Sequence, residues 1–119
     1  MTQSLEDYLE TIYTISAEGC EAQVRDIARS LGVTMPSVVK AIRELGRLGL
    51  VAHEPYGGVA LTANGKRAAK EVLGRHTLLR TFLVKLGVSE TTADRDACLM
   101  EHIVSAETID KIRIYTEKH

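Results

Sequence analysis

The stretch Val24-Arg-Asp-Ile-Ala-Arg-Ser-Leu-Gly-Val-Thr-Met-Pro-Ser-Val-Val-Lys-Ala-Ile-Arg-Glu-Leu-Gly-Arg-Leu48 decides the reading of this chain. Ile27, Ala28 and Leu31 recur at helical spacing and stop at Gly32, the residue best suited to a left-handed helix end. Thr34 follows as an N-cap, with Pro36 in the first turn, where a missing N–H does no harm. Val38, Val39, Ile42 and Leu45 then carry a second helix to about Leu48. Two short helices joined by a glycine-containing turn form a helix-turn-helix.

The residues after it strengthen this reading. Gly49 to Thr62 holds two short apolar runs around Tyr56-Gly-Gly58, a β-hairpin pattern, and a hairpin directly after a helix-turn-helix is a wing. Thr62 can cap a long helix over 63–86 that closes at Gly87, with Val72, Leu73, Leu79, Phe82, Leu83 and Leu86 along one side. Shorter helices are expected over about 90–104 and from 106 onward. Upstream, Ser4 is positioned to cap a helix over about 5–17, whose core face is Leu5, Tyr8, Leu9, Ile12 and Ile15. The expected architecture is mainly α: a winged helix-turn-helix DNA-binding domain over 1–62 and a helical domain over 63–119, linked by the long helix.

Charge is distributed unevenly along the 119 residues, although the net formal charge is only −1. Residues 1–23 carry five acids and no Lys or Arg, residues 24–86 carry eleven bases against four acids, and residues 87–119 carry seven acids against four bases. A basic centre attracts phosphate backbone and acidic flanks attract cations. No apolar run reaches the roughly 18 residues of a membrane span. The acidic, amphipathic N-terminus does not read as a secretory signal. Two distant cysteines, Cys20 and Cys98, set no disulfide framework, so a cytoplasmic protein is expected.

The start of a recognition helix enters the major groove, which directs Thr34, Pro36, Ser37 and Lys40 toward DNA. Pro36 offers an apolar face to thymine methyl groups, and Lys40 can donate to guanine acceptors. Arg25, Arg29, Arg43 and Arg47 suit phosphate contact, and Tyr56 at the wing tip suits a phosphate or the minor groove.

A second chemistry is superposed on the first. Cys98, Glu101 and His102 stand at i, i+3 and i+4, with Glu101 about 60° to one side of Cys98 and His102 about 40° to the other on a helical wheel. Asp7 and Glu10 form a carboxylate pair on the first helix, and His76 lies on the long one. Thiolate, carboxylate and imidazole are the donors from which transition-metal sites are built. Each residue alone also has an ordinary structural use, but six such donors on three helices of a short chain favour a metal. No organised nucleophile and base is legible, so no enzyme is expected.

These same residues resemble a known family. Ser4-Leu-Glu-Asp-Tyr-Leu-Glu-Thr-Ile-Tyr13, Asp26-Ile-Ala28, Thr62-Ala-Asn-Gly-Lys66, Arg75-His76 and Cys98-Leu-Met-Glu-His102 are similar to the diphtheria toxin repressor / manganese transport regulator family. The resemblance spans essentially the whole chain. It implies a homodimeric, metal-activated repressor of metal-uptake genes, with a helical dimerisation domain after the winged helix, acting on palindromic operator DNA. Asp7, Glu10, His76, Glu101 and His102 match ligands of the manganese-sensing branch. Cys98 matches the iron-sensing branch, where the manganese sensors place a glutamate, but that branch's ancillary site is not matched, since Asp94 and Arg80 occupy two of its ligand positions. With a thiolate in the set, the expectation is Fe(II) first and Mn(II) second, with Co, Ni or Zn able to substitute in vitro. The main ion is expected on Asp7, Cys98, Glu101 and His102, with Glu10 and His76 completing its shell or holding a second. The competing expectation is a winged-helix regulator answering another effector.

Overall fold

The computed structural model describes residues 1–119 apart from Glu18, Cys20, Pro55 and Tyr56. Among the described residues the chain forms, in order, α1 (Gln3–Ala17), α2 (Val24–Leu31), α3 (Met35–Arg47), β1 (Val51–His53), β2 (Val59–Leu61), α4 (Ala63–Leu86), α5 (Glu90–Met100) and α6 (Ala106–Lys118). It divides into two compact units, Met1–Lys70 and Glu71–His119. None of these helices is long and apolar enough to cross a membrane.

In the first unit, α1, α2 and α3 pack around Leu9, Ile12, Ile27, Val38 and Leu45, all fully buried. Each such side chain contributes about 1.5–3 kcal/mol relative to exposure, so these five anchor the unit. The helix-turn-helix forms as the local signals dictate. Gly32 takes φ 67° at the end of α2, Thr34 Oγ1 accepts from the Ser37 N–H at 3.3 Å, and Pro36 sits in the first turn of α3. β1 and β2 pair antiparallel in the register Val51–Leu61, Ala52–Ala60, His53–Val59. The hairpin is pinned to the segment before α2, because the Val59 N–H donates to the Ala22 carbonyl at 2.7 Å. A Cβ on Gly58 would stand 2.9 Å from that same carbonyl oxygen and closer still to the Glu21 side chain.

Thr62 joins wing to helix. Its hydroxyl donates to the Gly49 carbonyl at 2.7 Å and accepts from the Gly65 N–H at 3.0 Å, and its own N–H donates to the Leu50 carbonyl. Three backbone groups are thereby tied at one residue. Gly65 is required there, since a Cβ would lie 1.9 Å from the Leu50 oxygen.

In the second unit, the later part of α4 packs with α5 and α6 around Leu79, Ala97 and Ile109, flanked by Leu78, Met100, Val104 and Ile112. Gly87 ends α4 at φ 105°. The Val88 N–H reaches the Leu83 carbonyl and the Gly87 N–H reaches that of Val84, the paired bonds of a Schellman motif. Ser89 and Ser105 cap α5 and α6 through the Thr92 and Thr108 N–H groups. This unit leaves Leu86, Leu99, Ile103 (77% exposed), Ile114 and Tyr115 in the open.

Three expectations need correction. Thr2 caps α1, accepting from the Leu5 N–H at 3.2 Å, which moves the helix start back to Gln3 and puts Ser4 inside the first turn. α5 ends at Met100, not near residue 104, because Ser105 leaves helical geometry to cap α6 and the chain must turn before it. Leu86 is exposed and does not join the buried side of α4.

Candidate metal centre and DNA-binding face

At about 100° per residue, α3 sorts its side chains cleanly. Val38, Ala41, Ile42 and Leu45 are buried. Pro36, Lys40, Arg43 and Arg47, at i, i+4, i+7 and i+11, fall within an arc of about 60° on the opposite side and are exposed. This stripe carries three cations and one apolar ring. Arg47 pairs with Glu44 on its own helix, which leaves Lys40 and Arg43 as the stripe's cations without an acidic partner among the described residues. Thr34 and Ser37 are exposed but bonded to each other, hydroxyl to hydroxyl at 2.8 Å, so Thr34 is a helix cap first. Arg25 and Arg29 are exposed on α2, and Tyr56 lies outside the described residues. Val39, 37% exposed on the α3 stripe beside Pro36, was absent from the sequence-based set. Its apolar character made it look like core, and only the burial of its neighbours reveals the face it shares.

The metal donors of the second unit converge. Glu101 is 1% exposed, a carboxylate taken out of water, and such a group needs compensating partners. Its two oxygens face two imidazoles: Oε2 stands 3.0 Å from His76 Nδ1, and Oε1 stands 3.3 Å from His102 Nε2. His76 is brought there by α4, while Glu101 and His102 lie in the turn that follows α5. That turn keeps Glu101 on the side of Cys98, because the Glu101 N–H still donates to the Ala97 carbonyl at 3.0 Å. Cys98, exposed on the last turn of α5, completes a group with His76 and Glu101 whose donor atoms all lie within 4.8 Å of one another. Donors sharing one first-row ion lie at most about 4.6 Å apart, twice a metal–ligand bond, so small adjustments suffice.

One atom tests whether a metal fits. His76 Nδ1 is buried and makes no hydrogen bond, despite its closeness to Glu101 Oε2. The other ring nitrogen is engaged, with Nε2 2.9 Å from Asp94 Oδ1. A buried ring nitrogen facing a carboxylate with no hydrogen bond between them is an arrangement a divalent cation resolves. Sulfur, oxygen and nitrogen donors together fit Fe(II), Mn(II) and their neighbours.

His76, expected to complete a shell or hold a second ion, thus stands with Cys98 and Glu101. Asp7 and Glu10 lie on α1 in the first unit, both half-buried. The sequence reading took Asp94 and Arg80 only as departures from a family pattern. The contact of Asp94 with His76, and of Arg80 with Asp94, needed the packing of α5 on α4 to become visible.

Two family models and several known proteins match this chain. The model described as iron dependent repressor, N-terminal DNA binding domain, matches residues 1–59. The one described as iron dependent repressor, metal binding and dimerisation domain, matches residues 62–118. The transcriptional regulator MntR of Escherichia coli O157:H7 is 44% identical over 115 residues, which is 97% of this chain and 74% of the relative. An uncharacterized HTH-type transcriptional regulator of Methanocaldococcus jannaschii, MJ0568, is 39% identical over 120 residues, covering 99% of this chain and 96% of that protein. Among solved structures, a manganese-dependent transcriptional repressor in complex with manganese superimposes with a TM-score of 0.84 at 34% identity, over 95% of this chain and 52% of the other. With both halves matched, the chain belongs to the iron-dependent repressor family, the diphtheria toxin repressor / manganese transport regulator lineage, and is a metal-dependent transcriptional repressor rather than an enzyme.

Proposed function

We propose that the protein binds palindromic operator DNA as a homodimer when loaded with Fe(II) or Mn(II), and so regulates genes of metal uptake in the cytoplasm. The observation that carries this reading is the gathering of His76, Cys98 and Glu101 on donor atoms within 4.8 Å of one another. Their ligand roles, together with those of His102, Asp7 and Glu10, are the proposal's ligand set. When bound, the ion supplies bonds that join donors from different helices. Cys98 contributes thiolate, Glu101 neutralising charge, and His76 and His102 imidazole nitrogen. Asp7 and Glu10 contribute hard oxygens from the DNA-binding unit.

The half-site geometry follows from symmetry: two recognition helices must match two half-sites, so a ligand that favours one arrangement favours binding. A tenfold gain in DNA affinity requires about 1.4 kcal/mol of coupling, which several coordination bonds readily supply. The exposed apolar side chains Leu99, Ile103, Leu86 and Ile114 support a second copy as partner, because exposed large apolar side chains on so small a helical unit suit an interaction face. On α3, Lys40, Pro36, Thr34 and Ser37 are proposed to meet base edges and nearby phosphates, while Arg25, Arg29, Arg43, Arg47 and Tyr56 hold the backbone.

Metal choice rests on opposed weights. The relatives named as manganese regulators favour Mn(II), and the thiolate of Cys98 favours Fe(II) over what a carboxylate there would select. Genomic fragments are to be selected anaerobically by metal-free protein with Fe(II), with Mn(II) and with neither. Retention only with metal is expected. Equal retention in all three contradicts the proposal and favours a regulator answering another effector. Cys98→Glu is expected to shift the ratio of Fe(II) to Mn(II) affinity toward Mn(II), and an unchanged ratio removes Cys98 as the discriminator.

A further inference from the structure

His76 and Arg80 stand one turn apart on α4, and Asp94 and Cys98 stand one turn apart on α5. The two pairs form a small lattice. His76 Nε2 lies 2.9 Å from Asp94 Oδ1, and that same oxygen lies 3.7 Å from Arg80 Nε. The opposite ring nitrogen, Nδ1, lies 3.0 Å from Glu101 Oε2 without a hydrogen bond. We infer that Asp94, steadied by Arg80, is a positioning residue that holds the His76 proton on Nε2 and thereby turns the Nδ1 lone pair toward Cys98 and Glu101.

The chemistry is constrained on each side. A neutral imidazole has one N–H and one lone pair, and an ionised carboxylate only accepts. Glu101 Oε2 also only accepts, but it makes no hydrogen bond with Nδ1, whereas Asp94 Oδ1 is in hydrogen-bond geometry with Nε2, so the proton is placed on Nε2 and Nδ1 is left as a ligand atom. An imidazole free of Asp94 would divide its proton between the two nitrogens, and its ring would be free to turn about χ2. A metal-binding histidine is commonly fixed in this way by a carboxylate on its far nitrogen, and loss of that partner typically costs 10- to 100-fold in metal affinity. Asp94 is 62% exposed, so the lower end of that range applies here. Arg80, 41% exposed, adds charge beside Asp94 without reaching His76, so its removal has a smaller effect.

The inference rests on the metal-binding reading of His76, and the test separates the two. In the full chain without metal, long-range 1H–15N correlation of the His76 ring reports which nitrogen is protonated. Titration with Mn(II) alone then gives affinity. The wild-type protein is expected to show the Nε2–H form and to bind Mn(II). Asp94→Ala is expected to give averaged ring shifts and about tenfold weaker binding. Asp94→Asn, which keeps an acceptor oxygen, is expected to restore the Nε2–H form and most of the affinity. An unaltered tautomer and affinity in Asp94→Ala overturns the inference alone, and so does an Asn variant as impaired as the Ala one. Should the Ala variant fail to fold, Asp94→Leu in the same two measurements takes its place. If instead Mn(II) leaves the wild-type His76 ring unmoved, the metal reading of His76 falls with it.

Discussion

The two units of this chain are stabilised in different ways. The first buries Leu9, Ile12, Ile27, Val38 and Leu45 completely and locks its wing and the start of α4 through Thr62, with glycines where backbone meets backbone. The second gathers a thinner core on Leu79, Ala97 and Ile109, buries a carboxylate between two imidazoles, and exposes Leu99, Ile103 and Ile114. Small helical units with little core depend on something added to them. The first unit is self-sufficient and offers a basic stripe. The second carries the metal donors and the exposed apolar side chains that the proposed ion and partner copy would engage.

The largest expected effect tests the self-sufficient half. Gly65→Ala forces a Cβ against the Leu50 carbonyl oxygen at 1.9 Å, backbone against backbone. A loss of about 3 kcal/mol, the upper end for overpacking, is expected, seen as a drop of about 10 °C in thermal unfolding. A variant as stable as the wild type would show that the wing and α4 are not held together as described.

Next comes the other half. Glu101→Gln replaces the carboxylate shared by His76 and His102 with a poor metal ligand, and Mn(II) affinity is expected to fall about 100-fold or more in a calorimetric titration. A lower melting temperature together with intact metal binding would make Glu101 a structural residue.

Lys40→Ala, on the exposed stripe of α3, should weaken binding to the selected operator by about 1–3 kcal/mol and leave the fold unchanged. If its effect is equal on unrelated DNA, Lys40 holds phosphate and does not read bases. The smallest effect has the opposite sign. Gly74 belongs to the same helix as Gly65, yet nothing lies within 4 Å of a Cβ there. Gly74→Ala should raise stability by about 0.5–1 kcal/mol, measured by denaturant unfolding. The pair Gly65 and Gly74 thus reads the two units with one substitution.

Much of the first unit was legible because its signals are local. Gly32, Thr34 and Pro36 act on their immediate neighbours, and the apolar spacing of α3 identifies its buried side, Val39 excepted. The start of α1 was misplaced because Thr2 and Ser4 are both competent caps, and nothing local ranks them. The donor types at His76, Cys98, Glu101 and His102 were legible as chemistry. Their pairing was not: the wheel continued α5 through His102, whereas the helix ends at Met100 and the following turn aims Glu101 between two histidines. Asp94 was read as an absence, and its contact with His76 spans eighteen positions along the chain. Such a contact depends on how two helices pack, which no periodicity encodes.

The most direct test of the contrast between the units is amide hydrogen exchange on metal-free protein with and without saturating Mn(II) or Fe(II), read segment by segment. The account predicts slower exchange around His76 on α4, over 98–104 and, through Asp7 and Glu10, in α1, with α2 and α3 unchanged. Exchange that is unaffected by either metal, or that slows equally in α2 and α3, would contradict it.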